Sequence, residues 1–194
     1  MKHLDAHQID EPFLLRILAP RPLAWVTTRD KLGAPNIAPF SAVMLIDSDP
    51  ATLMLVVKRL SDGQRKSTAR NILETGAFAI NLPSPSELPA LMRSASPGVR
   101  SADRFRSADV TLSPFEKIHV DRVADANCVL ECQLVRHDLF ADKADLFLGA
   151  ILYAHAKHDG SDGPGAFIGA LGYEWFVTSE GNVFVPQPYL ASES

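Results

Sequence analysis

The chain has 194 residues and a net charge of −4, and hydrophobic and charged residues make up 46% and 22% of it. This is the balance of an ordinary globular protein, and the length suffices for one domain with a substantial core. The negative charge argues against a nucleic-acid binder, which more often carries a basic surface stripe. Residues 1–7 lack the apolar core of a signal peptide, and no apolar run is long enough to span a bilayer. We therefore expect a soluble cytoplasmic protein forming a single domain over residues 1–194.

The first third of the chain predicts one short helix followed by extended segments. The helix is expected over residues 10–18, because two prolines follow it closely. Residues 23–28 are rich in β-branched and aromatic side chains and predict a strand. A second extended segment is expected at residues 36–43, where Pro39 excludes a central position in a sheet. The nearly continuous apolar run at residues 52–58 predicts a strand that is buried on both faces.

In the rest of the chain, strands again outnumber helices. The predicted helices cover residues 68–75, with Gly76 as the C-cap, and residues 84–95; the predicted strands cover residues 77–82, 128–136 and 146–155, and a hairpin joins residues 175–178 to 182–185. Residues 96–113 are polar and arginine-rich, and we expect a mobile lid or a partner-facing segment there. Because strands and helices do not alternate strictly, the pattern favours a mostly β fold, an antiparallel barrel with a few peripheral helices, over a doubly wound sheet.

The cysteines and histidines do not predict a metal or redox site. Cys128 and Cys132 have neither a zinc nor a redox spacing, and on one strand they would be too far apart to form a disulfide. His155 and His158 flank the end of a predicted strand, but no further ligands cluster around them. The two histidines near the N-terminus lie in a segment that is expected to fray. We therefore expect no metal.

One polar loop separates the apolar run at residues 52–58 from the next predicted helix. It carries the cations Arg59, Arg65 and Lys66, and the hydroxyls of Ser67 and Thr68 stand at the helix start. The free N–H groups and the positive end of a helix dipole favour a phosphate there, and arginine can bind two phosphate oxygens at once. From the residues alone a simpler interpretation stays open, in which Ser67 caps the helix and the cations form a solvated loop.

Four segments in order resemble the flavin reductase-like, FMN-binding split-barrel family, in the branch that includes flavoredoxin. They are Arg21 to Thr28, Asn36 to Ser41, Asp49-Pro50 with the apolar run that follows, and Lys66 to Ile72 with Glu74-Thr75-Gly76 and the next strand. Each motif alone is weak, but four in order at family-like spacing make a specific signal. The resemblance is best over residues 20–155, which leaves residues 1–19 and 186–194 as peripheral termini.

The resemblance implies a six-stranded antiparallel split β-barrel of Greek-key type and a homodimer with flavin near its interface. It also implies non-covalently bound FMN that is reduced by NADH or NADPH, or that relays electrons to a monooxygenase or another redox partner. The residues expected to bind FMN are Asn36, Ala38, Pro39, Phe40, Ser41, Arg59, Arg65, Lys66, Ser67 and Thr68. Phe40 as ordinary core and Ser41 as a turn residue remain open alternatives. No general acid or nucleophile stands out, which fits a cofactor that carries the chemistry.

Several positions depart from the family pattern and bear on the use of a nicotinamide cofactor. The aspartate of the K-D-T motif is Ser67 here, and a histidine and an acidic residue common among the reductases are Ala144 and Ala150. The R-L-G-G segment is reduced to residues 170–173. An alternative function is therefore a non-catalytic FMN-binding module that stores or senses flavin. A third possibility, a dimer that has lost the cofactor, is disfavoured because the loop keeps its cations.

Overall fold

The structure is a computed structural model that describes residues 3, 5–95, 103–157, 166–172, 175–179 and 181–184. The helices are α1 (Glu11–Ile17), α2 (Ser67–Thr75), α3 (Leu88–Ser94) and α4 (Arg104–Ser107), with 3-10 turns at Ala6–Gln8 and Pro85–Glu87. The strands are β1 (Arg21–Pro22), β2 (Ala24–Arg29), β3 (Pro35–Phe40), β4 (Val43–Ser48), β5 (Ala51–Lys58), β6 (Ala77–Leu82), β7 (Leu112–Ser113), β8 (Arg122–Val123), β9 (Cys128–Phe140), β10 (Ala144–Ala156), β11 (Ile168–Ala170), β12 (Trp175–Thr178) and β13 (Gly181–Phe184).

The described residues form one large antiparallel sheet and two smaller ones. The large sheet has seven strands in the order β3-β2-β6-β9-β10-β5-β4. A four-stranded sheet has the order β1-β11-β12-β13, and β7 pairs with β8. This confirms the predicted mostly β, antiparallel class. The proline-containing strand β3 lies at the edge of the large sheet, as its sequence predicts, because proline cannot donate to a central ladder. Among the described helices, none is long and apolar enough to cross a membrane.

Two hydrophobic clusters lie on opposite faces of strands β2 and β6. Val26 and Phe78 belong to one cluster, which also contains Phe147 and residues of α2. Their neighbours Trp25 and Ala79 belong to the other, which is covered by α3 and by residues 118–126. Because successive side chains on a strand point to opposite faces, each of these two strands is buried on both sides. Helix α2 ends as predicted at Gly76, which has a φ of 71° and donates its N–H to the carbonyl of Ile72.

The prediction that the apolar run at residues 52–58 is buried on both faces is wrong. Within β5, Leu53, Leu55 and Val57 are buried, whereas the alternate residues Met54 and Val56 are only partly buried. The reason is that the core covers one face of β5: Leu53, Leu55 and Val57 pack in the cluster with Phe78 and Phe147, and Met54 and Val56 point to the other face. The sequence of an apolar run does not distinguish a second face that packs on the core from one that lies at the protein surface.

The second face of β5 is continuous with apolar residues on both neighbouring strands. Met44 of β4 pairs with Met54, and Met54 pairs with Leu148 of β10, so the three side chains lie at one level across three strands. Leu146 pairs with Val56 at the next level on the same face. We call these five residues the outer apolar face. Met44 is 53% exposed.

The arginine-rich segment and the C-terminus are described only in part. Of the predicted lid at residues 96–113, residues 96–102 lie outside the described residues. The rest forms α4 and begins the short β7–β8 pair. The predicted C-terminal hairpin is confirmed by the pairing of β12 with β13. The peripheral terminus at residues 186–194 lies outside the described residues.

Candidate functional site

The two halves of the predicted flavin site meet at a buried polar network. Asn36 of β3 donates from Nδ2 to Oγ1 of Thr28 and to Oγ1 of Thr68, both at 3.1 Å. Asn71 donates from Nδ2 to the same Thr28 hydroxyl at 3.0 Å. All four residues are buried. The network therefore fixes the start of α2 against the edge strand, so that two motifs 32 residues apart in sequence lie together.

Asn36 also presents an acceptor without a partner. Its Oδ1 is buried and makes no hydrogen bond within the described part of the chain. Asn36 is also one of the residues that line a polar cavity of about 300 Å³; the others are Asp30, Lys31, Leu32, Ala34, Pro35, Ser67, Arg70, Asn71 and Glu74. A buried polar atom without a partner costs free energy comparable to a lost hydrogen bond. Two of the predicted FMN-binding residues, Asn36 and Ser67, line this cavity.

The remaining predicted residues of β3 lie along the edge of the sheet. Ala38 is buried and pairs with Val26, and Pro39 pairs with Trp25. Phe40 is partly buried and packs against the cluster around Val26, which is the core role that the sequence left open. Ser41 follows the strand, and its Oγ lies 3.4 Å from Nε of Arg21.

Three charged or titratable side chains converge on one buried carboxylate behind the predicted phosphate loop. Arg65 donates from Nε to Oδ1 of Asp145 at 3.0 Å, and Nε of Arg59 lies 3.6 Å from Oδ2. His137 places Nε2 at 2.8 Å from Oδ1. The Asp145 side chain is fully buried. The two predicted phosphate-binding arginines therefore share an internal counter-ion in this structure.

Burial alone would raise the pKa of Asp145. The hydrogen bonds from His137 and Arg65, together with the charges of Arg65 and Arg59, outweigh burial and hold that pKa below its ordinary value. Asp145 is therefore an ionised carboxylate at neutral pH. Asp145 is not among the residues predicted for the site, although a signal was present: it directly precedes the apolar run of β10, and strand alternation puts it on the same face as Phe147.

The backbone of the loop from residue 59 to residue 66, called here the cation loop, is closed by its own hydrogen bonds. Leu60 donates its N–H to the carbonyl of Gln64, and Arg59 donates to the carbonyl of Lys143 at the start of β10, both at 2.9 Å. Gly63 has a φ of 80°, which favours glycine. The loop is therefore a tight turn anchored to the β9–β10 connection.

The end of the cation loop leads directly into α2. Lys66 is exposed and occupies the N-cap without a side-chain capping bond. Ser67 is the first helical residue and accepts a hydrogen bond from Nη2 of Arg70. The alternative in which Ser67 caps the helix is therefore wrong. Thr68 is buried in the polar network, so its hydroxyl is oriented by Asn36.

A second buried carboxylate lies on the opposite face of the sheet. Glu131 of β9 accepts hydrogen bonds from the backbone N–H groups of Glu116, Lys117 and Ile118 and contacts Nε2 of His155 at 2.7 Å. Burial alone would raise the pKa of Glu131, but these hydrogen bonds lower it. Glu131 therefore holds the segment 116–118 on the sheet. Its neighbour Cys132 is a free thiol whose pKa burial raises to about 12.

Comparison with known proteins places this geometry in a family. Residues 16–173 match the family described as flavin reductase like domain. The chain is 34% identical to the uncharacterised protein YwrF of Bacillus subtilis over 143 residues, which are 70% of this chain and 68% of that protein.

Two solved structures are similar over nearly the whole chain. One is nitrilotriacetate monooxygenase component B from Bacillus cereus, with a TM-score of 0.81 and 25% identity, covering 97% of this chain and 98% of that one. The other is the 2-nitrobenzoate 2-nitroreductase of Pseudomonas fluorescens, with a TM-score of 0.81 and 22% identity, covering 100% of both chains. The chain therefore belongs to the flavin reductase-like family, and the resemblance found in the sequence is confirmed. In general terms, these matches support a flavin oxidoreductase.

The lowered pKa of Glu131 predicts how its contribution to stability depends on pH. Replacing Glu131 with glutamine should lower the free energy of unfolding at pH 7 by about 1–3 kcal/mol, because the amide cannot accept from three backbone N–H groups and His155 as the carboxylate does. A depressed carboxyl pKa stabilises above the unfolded value of about 4.3, and this contribution is lost as the pH falls through the folded value. The difference between wild type and Glu131→Gln should therefore shrink below about pH 4.

Urea unfolding of both proteins between pH 7 and pH 3 measures this difference. The exposed neighbour Glu116 provides a matched control, and Glu116→Gln should change stability by less than about 0.5 kcal/mol. A wild-type to Glu131→Gln difference that stays constant down to pH 3 would contradict the assigned role of the charge.

Proposed function

We propose that this protein binds FMN non-covalently and acts as an FMN-dependent oxidoreductase of the flavin reductase type. It takes electrons from NADH or NADPH, or relays electrons through tightly held FMN, and delivers them to a separate acceptor. The observation that carries the proposal is the contact between Asn36 and Thr68, because it joins the edge strand to the cation loop and the start of α2. The similarity to a monooxygenase component B supports a monooxygenase or another redox protein as the partner.

The residues present fit FMN, which has a dianionic phosphate and a flat ring system with polar edges. Arg59, Arg65 and Lys66 supply positive charge for the phosphate, and an arginine can bind two phosphate oxygens at once. Ser67 and Thr68 add hydroxyls at the helix start, where an anion is favoured. The unpartnered Oδ1 of Asn36 can accept from a ring N–H.

The protein's part in the reaction is to bind, orient and shield. FMN supplies reversible hydride and electron transfer when it is bound. The cation loop neutralises the phosphate and fixes one end of the ligand. The edge of β3 from Ala38 to Ser41 provides a largely apolar strand for the flat ring and keeps water away from it. Pro39 fixes the backbone and so helps to aim the neighbouring amides.

An FMN-binding module without turnover is the second candidate function. It is favoured by Ala144 and Ala150, which stand where similar reductases carry a histidine and an acidic residue. Ala144 is buried at the start of β10, and its methyl group can neither donate nor accept a proton. Such a module would store flavin or sense it.

A homodimer is part of the proposal, and the outer apolar face supports it. Met44, Met54 and Leu148 form an apolar row across three strands, with Val56 and Leu146 beside it. At 65% exposure each, Val135 and Phe140 of β9 add further exposed apolar surface on the strand next to β10. A contiguous apolar patch on the surface is typical of an interaction site. A second copy of this chain would cover it.

Purified protein should bind FMN and accept electrons from a nicotinamide dinucleotide. We expect a flavin absorbance spectrum or saturable binding on titration with FMN, followed by anaerobic bleaching of the bound flavin with NADH or NADPH. Saturable binding without bleaching by either nucleotide would replace the reductase with the non-catalytic module or the electron relay. No binding of FMN at all would exclude both FMN-dependent candidates.

The cation loop and the start of α2 should recognise the phosphate. The double variant Lys66→Ala with Thr68→Ala should weaken FMN by about tenfold or more, because each charge-assisted hydrogen bond contributes about 1.5–3 kcal/mol. Riboflavin, which lacks the phosphate, should be affected much less. Fluorescence titration measures both affinities. Lys58→Ala is the matched control, since Lys58 is an exposed cation near the loop whose partner is Glu11. Equal losses of FMN and riboflavin would contradict this site.

The outer apolar face should hold the dimer together. Met54→Lys places a charge at the centre of the row and should convert a dimer into monomers, as measured by size-exclusion chromatography with light scattering. Leu73→Lys is the control, because Leu73 is an exposed leucine of α2, a helix whose main strand contacts are with β2, β3 and β6. A monomeric wild type, or a Met54→Lys variant that remains a dimer, would refute this interface.

A further inference from the structure

We propose that Asp145 is a positioning residue for phosphate recognition: its buried carboxylate holds the Nε atoms of Arg59 and Arg65 and leaves their terminal nitrogens to bind the anion. This inference rests on the proposed function, since it concerns the same cation loop. Asp145 itself touches no ligand in this role and acts through the two arginines.

In each of the two guanidinium groups, Nε and the terminal nitrogens have different surroundings. Both arginines approach Asp145 through Nε, at 3.0 Å for Arg65 and 3.6 Å for Arg59. Within the described ranges, no hydrogen bond involves the terminal nitrogens of either group. A guanidinium carries five N–H donors in a fixed fork, so one carboxylate at Nε leaves the other donors available.

The cluster is incomplete as it stands. Nε of Arg59 and Oδ2 of Asp145 are both buried, and neither has a hydrogen-bond partner among the described residues. They face each other at 3.6 Å, which is beyond a good hydrogen bond. Two guanidinium charges also oppose a single carboxylate, so a positive charge remains next to the start of α2. A bound anion would compensate that charge.

The carboxylate is held firmly enough to position its partners. Asp145 lies on β10 and pairs with Val57 on one side and Leu139 on the other. His137 contacts Oδ1 at 2.8 Å, and its ring stacks on Phe147 with the centroids 5.1 Å apart. Groups on a paired strand with fixed neighbours hold their geometry better than groups on a loop. The flexible arginines are thus oriented by a rigid element of the sheet.

Removing the charge of Asp145 should separate phosphate recognition from ring recognition. In Asp145→Asn the shape is kept, but two partly buried cations repel each other without a counter-ion. We expect the FMN dissociation constant to rise by about tenfold and that of riboflavin to change by less than about threefold. Fluorescence titration gives both values. Glu131→Gln is the matched control, because it removes another buried carboxylate with a histidine partner on the opposite face, and its FMN-to-riboflavin ratio should stay at the wild-type value.

A double-mutant cycle tests whether Asp145 acts through the arginines. In an Arg65→Gln background, Asp145→Asn should change the FMN-to-riboflavin ratio much less than it does in the wild type. If Asp145→Asn does not fold, Asp145→Glu replaces it, since the lengthened side chain keeps the charge but displaces it from both Nε atoms. That variant should also raise the FMN dissociation constant selectively.

The outcomes separate the two proposals. Wild-type protein that distinguishes FMN from riboflavin, together with Asp145 variants whose ratio is unchanged, overturns the role of Asp145 and leaves the proposed function intact. An increase in FMN affinity overturns it as well, because Asp145 would then compete with the phosphate. Wild-type protein that binds no flavin overturns both.

Discussion

The long hairpin of β9 and β10 is the constraint on which the rest of the structure depends. Each strand has 13 residues, and the pair joins β6 on one side to β5 on the other. Gly149 of β10 makes room for Phe78, which lies two strands away on β6 of the same sheet, because a Cβ at residue 149 would lie 2.5 Å from the Phe78 ring. Through β6 the hairpin supports the strand that carries Thr28, and through β5 it fixes the start of the cation loop. Both halves of the candidate site are therefore positioned by one element.

The same hairpin carries two buried carboxylates that serve different purposes. Glu131 is surrounded by backbone donors and a histidine, so it is fully satisfied and fixes a segment of the chain. Asp145 is surrounded by side-chain donors and keeps one oxygen without a hydrogen bond. A fully satisfied buried network adds rigidity. Around Asp145 two arginines share one carboxylate, and the proposed phosphate would balance the remaining positive charge.

Local patterns predicted most of the elements because they depend on near neighbours in sequence. The apolar runs predicted the strands, Pro39 predicted that β3 is an edge strand, and Gly76 predicted the end of α2. Only the family resemblance assigned Asn36 and Thr68 to one site, since no periodicity relates residues so far apart, and their direct contact is seen only in the structure. Asp145 could not be found as the partner of Arg65, because 80 residues separate them and only the register of β10 on β5 brings them together. The prediction that the second face of β5 is buried was wrong for the same reason, because the fold topology decides which elements cover a strand.

The second face of β5, which the core does not cover, bears on both the proposed dimer and the proposed site. A continuous apolar strand is expected when both of its faces are covered. In a single chain, only one face of β5 is covered. The cation loop begins at the residue after β5, but Asp145, which contacts Arg59 and Arg65, alternates along β10 with Leu146 and Leu148 of the outer apolar face. Asp145 shares its face with Phe147, which packs in the core with Leu55 and Val57. The proposed dimer surface and the proposed phosphate site therefore use opposite faces of β5 and β10, so a second copy can cover one face and leave the other to the ligand.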